Sequence, residues 1–150
     1  MPRGHFIVFE GPDRSGKTTQ TKRCADYLRN NGVTLAPNTP WTFPDRTTEI
    51  GKMINSYLQS STDLDDRTLH LLFSANRWEK EKLIRETLER GETIICDRYV
   101  YSGVAYSTAK GLPFEWCKTS DQGLPEPDLI IYLDVPTDVM KNRGNFGQER

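Results

Sequence analysis

The stretch GPDRSGKT, at positions 11–18, matches the pattern G-x-x-x-x-G-K-[S/T] and decides the fold of this chain. Its glycines, Gly11 and Gly16, let the backbone curl so that successive N–H groups point at one anion. Lys17 places a compact positive charge on the β- and γ-phosphates of a nucleotide, and the Thr18 hydroxyl is a ligand for Mg²⁺. The stretch therefore predicts a loop that binds a nucleoside triphosphate.

The sequence on either side of this loop supports the prediction. Residues 5–10 form a short apolar run, which is typical of a buried strand. After the loop, apolar and small residues such as Ala25 and Leu28 recur at helical spacing, and Gly32 is a suitable stop for the helix. A strand, a glycine-containing turn and a helix in this order are the context that a true phosphate loop requires.

Two more apolar runs, residues 93–97 and 129–134, each end in an aspartate and are separated by helical patterns. Residues 33–35 could start another strand, but Pro37 and Pro40 oppose its continuation. Continuous apolar strands alternating with helices predict a parallel sheet covered on both faces. We therefore expect one α/β domain over residues 1–150, with the three-layer P-loop NTPase fold.

Composition limits the partners of the chain. Hydrophobic residues make up 35% and charged residues 27%, and the net charge is −1, so no global basic field would attract nucleic acid or an anionic membrane. The longest apolar runs are too short to span a bilayer. The three cysteines, Cys24, Cys96 and Cys117, lack the spacing of a metal site. These features predict a cytoplasmic protein whose anion sites are local.

Two classes of nucleotide-binding protein compete for this loop. A GTPase switch would need a guanine-reading Asn-Lys-x-Asp, which the sequence lacks, and its only Asp-x-x-Gly lies within the loop at residues 13–16. A transferase needs a second anion site, and Arg98 and Arg46 are candidates for it. Asp97 could hold Mg²⁺ through water. The alternatives are a structural Asp97–Arg98 pair and a solvated Arg46.

Seven segments, in order and almost from end to end, resemble those of eukaryotic-type thymidylate kinases, a family of P-loop nucleoside monophosphate kinases. The segments are GPDRSGKT (11–18), FPDR (43–46), LLFSANRWE (71–79), DRY (97–99), SGVAY (102–106), GLPEPD (123–128) and RGNFGQER (143–150). The resemblance implies transfer of the ATP γ-phosphate to dTMP, giving dTDP and ADP in dTTP biosynthesis.

The resemblance also implies how the acceptor base is read. Phe73 matches a residue that stacks on thymine, and Arg77 matches one that donates to a thymine oxygen. Their spacing of four residues puts both on one helix face, an aromatic platform contributes on the order of 1–3 kcal/mol per stacked base, and thymine O4 is an acceptor. Without the resemblance, Phe73 would be assigned to the core.

The remaining roles follow from the same resemblance. Arg46 and Arg98 match residues that hold the acceptor phosphate, and Arg14 matches the catalytic arginine on the transferring group. The candidate dTMP-binding residues are Asp13, Phe43, Arg46, Phe73, Arg77, Arg98, Ser102, Gly103 and Tyr106. The candidate ATP-binding residues are Asp13, Arg14, Ser15, Gly16, Lys17, Thr18, Thr19 and Arg143. The candidate catalytic residues are Arg14, Lys17 and Arg98, and the candidate Mg²⁺ ligands are Thr18 and Asp97.

The resemblance further implies a homodimer and a lid that begins near residues 141–150. Members of the family continue beyond this point with another strand and helices, so we expect the chain to be incomplete at its C-terminus. Two readings stay open beside dTMP kinase activity: a uridylate/cytidylate or deoxynucleoside kinase, and a catalytically silent nucleotide-binding module.

Overall fold

Four parallel strands form a single sheet in the computed structural model, which describes residues 2–143 and residue 149. The strands are β1 (Phe6–Glu10), β2 (Trp41–Thr42), β3 (Ile94–Asp97) and β4 (Leu129–Tyr132), in the order β2-β3-β1-β4. The helices in the described ranges are α1 (Lys17–Asn30), α2 (Glu49–Leu58), α3 (Asp66–Trp78), α4 (Glu81–Glu89), α5 (Val100–Ala109), α6 (Phe114–Thr119) and α7 (Thr137–Lys141).

The sheet register brings three strand ends together. Phe9 of β1 and Thr42 of β2 both pair with Asp97 of β3, one from each side. Because the strands are parallel, their carboxyl ends meet at one edge, where open α/β sheets bind ligands. The segments that follow these strands, residues 11–18, 43–46 and 97–99, therefore start side by side.

Helices cover both faces of the central strands, as the apolar runs predict. On one face, Phe6 and Val8 of β1 lie in a buried cluster with Ile84 and Leu88 of α4. On the opposite face, Phe9 and Ile95 are buried with side chains of α1 such as Ala25 and Leu28. Alternate residues of β1 thus serve opposite layers, which gives the three-layer arrangement.

Strand β4 departs from the expectation of full burial. Leu129 is 52% exposed and Tyr132 is 62% exposed, although both belong to a continuous apolar run. The reason is topological: in the described part of the chain, β4 pairs only with β1 and lies at the sheet edge. A continuous apolar run indicates a strand but does not report its position in the sheet.

Two helices that flank the site, α2 and α3, begin at a side-chain cap. The Thr48 side chain accepts from the backbone N–H of Gly51 to cap α2, and the Asp65 side chain accepts from Arg67 and Thr68 to cap α3. The apolar residues of α2 include Ile54, which is buried, and Met53, which is 50% exposed and lies outside the core. None of the helices in the described ranges has the length and apolarity needed to cross a membrane.

Candidate active site

The loop at residues 11–18 has the backbone of an anion-binding turn. Gly16 has a φ of 97°, a left-handed conformation that glycine adopts without steric cost, and α1 begins at the next residue. The Lys17 side chain folds back over the loop, where its Nζ donates to the Pro12 carbonyl (2.7 Å) and to Ser15 Oγ (3.3 Å). The loop and its lysine therefore enclose one small volume at the N-terminus of α1.

Lys17 is strongly affected by this enclosure. Burial lowers the pKa of its ammonium group to about 8, and the neighbouring positive charge of Arg98 acts in the same direction. The carboxylates of Asp97, Asp13 and Glu10 oppose the shift. A buried ammonium group whose charge is disfavoured gains when a phosphate arrives beside it.

A cavity of about 780 Å³ opens over the loop. Its lining includes all the candidate ATP-binding residues together with Phe43, Arg46, Asp97 and Arg98. Arg143, the last residue of the range 2–143, reaches into this region, where its Nη1 donates to the Arg14 carbonyl at 2.5 Å. The cavity is large enough for the phosphates and part of the body of a nucleotide.

A second cavity, of about 450 Å³, lies between α3 and α5. The candidate residues Phe73, Arg77, Ser102, Gly103 and Tyr106 line it. Phe73 is half-buried and packs against the cluster around Ile54. A space with an aromatic wall and a few polar groups suits a nucleobase.

The two cavities share part of their walls. Asp13, Phe43, Arg46 and Arg98 each line both of them. The structure thus brings every predicted dTMP-binding residue to the second cavity and places two guanidinium groups where the cavities adjoin. Two anions, one in each cavity, would meet at these arginines.

Arg98 is held between the phosphate loop and α5. Its Nη1 donates to the Gly11 carbonyl (3.1 Å) and to Ser102 Oγ (3.1 Å), and its guanidinium lies 5.4 Å from the centroid of the Tyr106 ring. Its backbone φ is 69°, an uncommon conformation for a residue with a Cβ atom. Strain of this kind persists where surrounding contacts enforce it, and it is concentrated at functional sites.

Arg46 forms an ion pair with a carboxylate side chain in the structure. Its Nη1 and Nη2 donate to the two carboxylate oxygens of Glu149, at 2.7 and 3.0 Å, and Nη1 also donates to Asn55. This contact lowers the pKa of the Glu149 carboxyl. A paired fork of this kind fits a phosphate as well as it fits a carboxylate.

The residues present fit a magnesium ion. Thr18 and Asp97 both line the cavity over the loop. Burial raises the pKa of the Asp97 carboxyl, and the charges of Lys17 and Arg98 oppose this. Over residues 2–143 and 149, no group of three or more His, Cys, Asp or Glu side chains could hold a metal by itself. Such a sparse set of hard oxygen donors suits Mg²⁺, which takes most of its ligands from phosphates and water.

Arg77 has a partner that the sequence did not suggest. It forms a bidentate ion pair with Asp121, from Nε (3.0 Å) and Nη2 (2.9 Å), and both side chains are almost fully buried. The guanidinium also lies against Gly103, where an added Cβ would come within 2.8 Å of Nη2. The arginine that we expect to read the base is therefore fixed from two sides.

Glu10 is a site residue that the sequence reading missed. Its buried carboxylate accepts from the backbone N–H groups of Tyr99 (3.1 Å) and Ser102 (3.0 Å) and from Ser102 Oγ (2.5 Å). Glu10, the last residue of β1, thereby caps the N-terminus of α5. Burial raises the pKa of its carboxyl group. The sequence feature that could have identified Glu10 is its position: it is a charged residue at the end of an apolar strand, directly before the loop.

Asn76 is a second residue of this kind. Its Oδ1 accepts from the Asp45 backbone N–H (2.7 Å) and its Nδ2 donates to the Asp45 carbonyl (3.0 Å). Gly51 lets α2 approach the same peptide, since a Cβ there would lie 1.8 Å from the Asp45 carbonyl oxygen. These contacts fix the segment that carries Arg46. The signal was its place within LLFSANRWE, between Phe73 and Arg77.

Comparison with known proteins agrees with this geometry. The family model for thymidylate kinase matches residues 9–150. The chain is 53% identical over 150 residues to a thymidylate kinase of Dictyostelium discoideum, covering 100% of this chain and 67% of that protein. It is 52% identical over 149 residues to a thymidylate kinase of Arabidopsis thaliana, covering 99% of this chain and 56% of that protein.

The fold comparison gives the same result. A solved structure of thymidylate kinase from Candida albicans superposes with a TM-score of 0.85 at 40% identity, covering 99% of this chain and 70% of that one. The chain thus spans a little over half to about two-thirds of the length of these relatives. It belongs to the thymidylate kinase family of nucleoside monophosphate kinases.

Proposed function

We propose that this chain transfers the γ-phosphoryl group of ATP to the 5′-phosphate of dTMP, giving dTDP and ADP. The observation that carries the proposal is the shared wall of the two cavities, where Arg46 and Arg98 each face both spaces. ATP would occupy the cavity over the phosphate loop, and dTMP would place its base between α3 and α5. Their phosphates would then meet at the two arginines.

The mechanism needs cations and alignment more than a base. The second pKa of a phosphate monoester is about 6, so the attacking oxygen of dTMP is already anionic near neutral pH. Repulsion between two anions and their positioning dominate the barrier of phosphoryl transfer. Lys17 and Arg98, which line the cavity over the loop, would neutralise the transferring group. The fork of Arg46 holds the Glu149 carboxylate, and the acceptor phosphate would take the place of that carboxylate.

Arg14 is assigned to the transferring phosphoryl group. It lies at the turn of the loop with a φ of 62°, and its Nε is buried without a hydrogen-bond acceptor among the described residues. A buried donor without an acceptor is costly, and a phosphate oxygen would satisfy it. Thr18 and Asp97 would hold Mg²⁺, which when bound neutralises phosphate charge.

Base recognition distinguishes dTMP from other acceptors in this proposal. Phe73 supplies the stacking surface and Arg77 the donor for a carbonyl oxygen, while Tyr106 and Ser102 line the space for the sugar. An extra methyl group in an apolar pocket is worth only about 1–3 kcal/mol, so dUMP is the closest competitor. The Candida albicans relative is itself described as having broad substrate specificity.

We further propose that two copies associate and that the enzyme works in the cytoplasm. Met53 of α2 and Leu71 of α3 are 50% and 47% exposed, and contact with a second copy would bury such apolar side chains. The three cysteines are free thiols, as expected in a reducing compartment.

The substrate assignment is tested by a coupled assay of ADP release with dTMP, dUMP, dCMP, UMP and AMP. We expect kcat/KM to be highest for dTMP. Among the bases of these acceptors, only thymine combines a carbonyl at C4 with a methyl group that can pack against the apolar wall of the cavity. A preference for UMP or dCMP would assign the chain to another pyrimidine kinase. ATP binding without turnover of any acceptor would indicate a silent nucleotide-binding module.

Arg14→Ala is expected to lower kcat by about 10³-fold or more, because an arginine that stabilises this transition state is worth roughly 10³–10⁵ in rate. The KM for dTMP should stay within about threefold, since Arg14 does not hold the acceptor before transfer. Arg23→Ala, which removes an exposed arginine from α1, is the matched control and should leave both constants unchanged. A raised KM with normal kcat would make Arg14 an acceptor ligand instead.

The pH dependence of ATP use should report Lys17. Its ammonium group is charged below a pKa of about 8 and neutral above it, and only the charged form attracts phosphate. Because kcat/KM reports the free enzyme, kcat/KM for ATP should fall as the pH rises through about 8. Lys17→Arg should be slower but should lose this limb, since a guanidinium stays charged. A flat wild-type profile from pH 7 to about 9.5 would contradict the assignment.

A further inference from the structure

We propose that Asp121 is a specificity-determining positioning residue, which fixes Arg77 in the one orientation that selects a pyrimidine with a carbonyl at C4 over one with an amino group there. The inference rests on the proposed function, because it concerns the base end of the same acceptor site. Asp121 itself is not among the described residues that line either cavity, so it would act only through Arg77.

The ion pair determines which edge of the guanidinium is free. Nε and Nη2 of Arg77 donate to Oδ1 and Oδ2 of Asp121, at 3.0 and 2.9 Å. The side chains of Arg77 and Asp121 are 3% and 2% exposed, so water does not compete for this fork. The fork engages Nε and Nη2 with the turn after α6, so Nη1 is the nitrogen left outside the fork, and Arg77 lines the cavity. We infer that Nη1 is the donor to the base.

Asp121 is in turn anchored to the helix that carries Arg77. Ser74 Oγ donates to Asp121 Oδ1 (2.9 Å) and to the Ser120 carbonyl (3.2 Å). Trp78 Nε1 donates to the same carbonyl at 2.7 Å. Two residues of α3, one three positions before Arg77 and one directly after it, therefore hold the turn that holds the arginine.

Gly103 fixes the plane of the guanidinium from the opposite side. A Cβ at this position would lie 2.8 Å from Nη2, 3.0 Å from Nη1 and 3.2 Å from Cζ of Arg77. The guanidinium thus rests directly on the α5 backbone, at a spot that no other residue type would leave open. The fork to Asp121 fixes the orientation of the guanidinium, and the absence of a side chain at Gly103 lets it lie against α5.

This arrangement discriminates between bases because arginine can only donate. A guanidinium has no acceptor atom and does not lose its charge. Thymine and uracil present a carbonyl oxygen at C4, whereas cytosine presents an amino group that also donates. If Nη1 is fixed, its N–H group would face the amino group of cytosine, and neither donor would find an acceptor. If the fork to Asp121 is lost, the arginine can turn away and the penalty against cytosine falls.

The test compares kcat/KM for dTMP with kcat/KM for dCMP in variants of the full chain. Asp121→Asn should lower the dTMP/dCMP ratio about tenfold or more, the effect of releasing one mismatched buried donor, while kcat at saturating dTMP changes by less than about threefold. Ser74→Ala is the matched control: it removes another hydrogen bond to the same carboxylate, while Trp78 still holds the turn and the fork stays in place. It should lower the melting temperature but keep the ratio.

A double-mutant cycle shows whether Asp121 acts through Arg77. Arg77→Met should lower the ratio, and adding Asp121→Asn to Arg77→Met should change it no further. If wild type discriminates but Asp121→Asn keeps the ratio within about twofold, or if the second change lowers it again, the inference is overturned. Failure of wild type to phosphorylate dTMP would instead overturn the proposed function.

Asp121→Asn leaves a buried guanidinium without its counter-ion, so loss of folding is a foreseeable result. In that case Gly103→Ala decides, since its Cβ displaces the flexible end of Arg77 while both charges remain. A fall in the dTMP/dCMP ratio of about tenfold supports the positioning of Arg77 as the source of selectivity. An unchanged ratio rejects it.

Discussion

The parallel pairing of β1 with β3 is the constraint on which the rest of this molecule depends. It sets Phe9 beside Asp97, and the pairing of β2 with β3 sets Thr42 beside the same residue. The phosphate loop, the Asp97-Arg98 pair and the Phe43–Arg46 segment all begin at this row. A shift of one residue in either register would turn each following side chain to the other face of the sheet. The facing anion sites are therefore a property of strand register first and of individual side chains second.

Placing several cations at one edge of the sheet costs free energy, because the charges repel each other and some are buried. Arg98 contributes to the depressed pKa of Lys17, and burial of that ammonium group contributes more. Arg14 and Arg98 adopt φ values of 62° and 69°, which cost on the order of 1–3 kcal/mol each. The hydrogen bonds around Glu10 and the layers on both sides of β1 hold these residues in place. An arriving phosphate relieves the repulsion among these cations, so the concentration of positive charge favours ligand binding over the empty state.

Much of this could be predicted from the sequence, and the parts that could not have physical reasons. The loop, the helix after it and the three apolar strands β1, β3 and β4 are local patterns, and they were found where the patterns indicated. Residues 33–35, a possible strand start, contribute an isolated bridge between Leu35 and Thr93, and the strand of that region is β2, at Trp41–Thr42. Several contacts that fix the site are long-range: Asp121 is 44 residues from Arg77, Gly11 is 87 residues from Arg98, and Glu10 meets Ser102 across 92 residues. The periodicity of apolar residues along the sequence does not reveal such long-range contacts. The exposure of β4 follows from strand order, which a single apolar run does not encode. The choice of thymine needed the family resemblance, because Phe73 alone would be assigned to the core.

We propose that two nucleotide sites meet at Arg46 and Arg98. Calorimetric titration with a single molecule that joins adenosine to thymidine through a polyphosphate chain tests it most directly. If the sites adjoin, this molecule should bind one per chain and about 10²–10⁴-fold more tightly than dTMP alone, and both Lys17→Ala and Phe73→Ala should weaken it. Two molecules bound per chain, or an affinity no better than that of ATP, would show that the two cavities do not face each other.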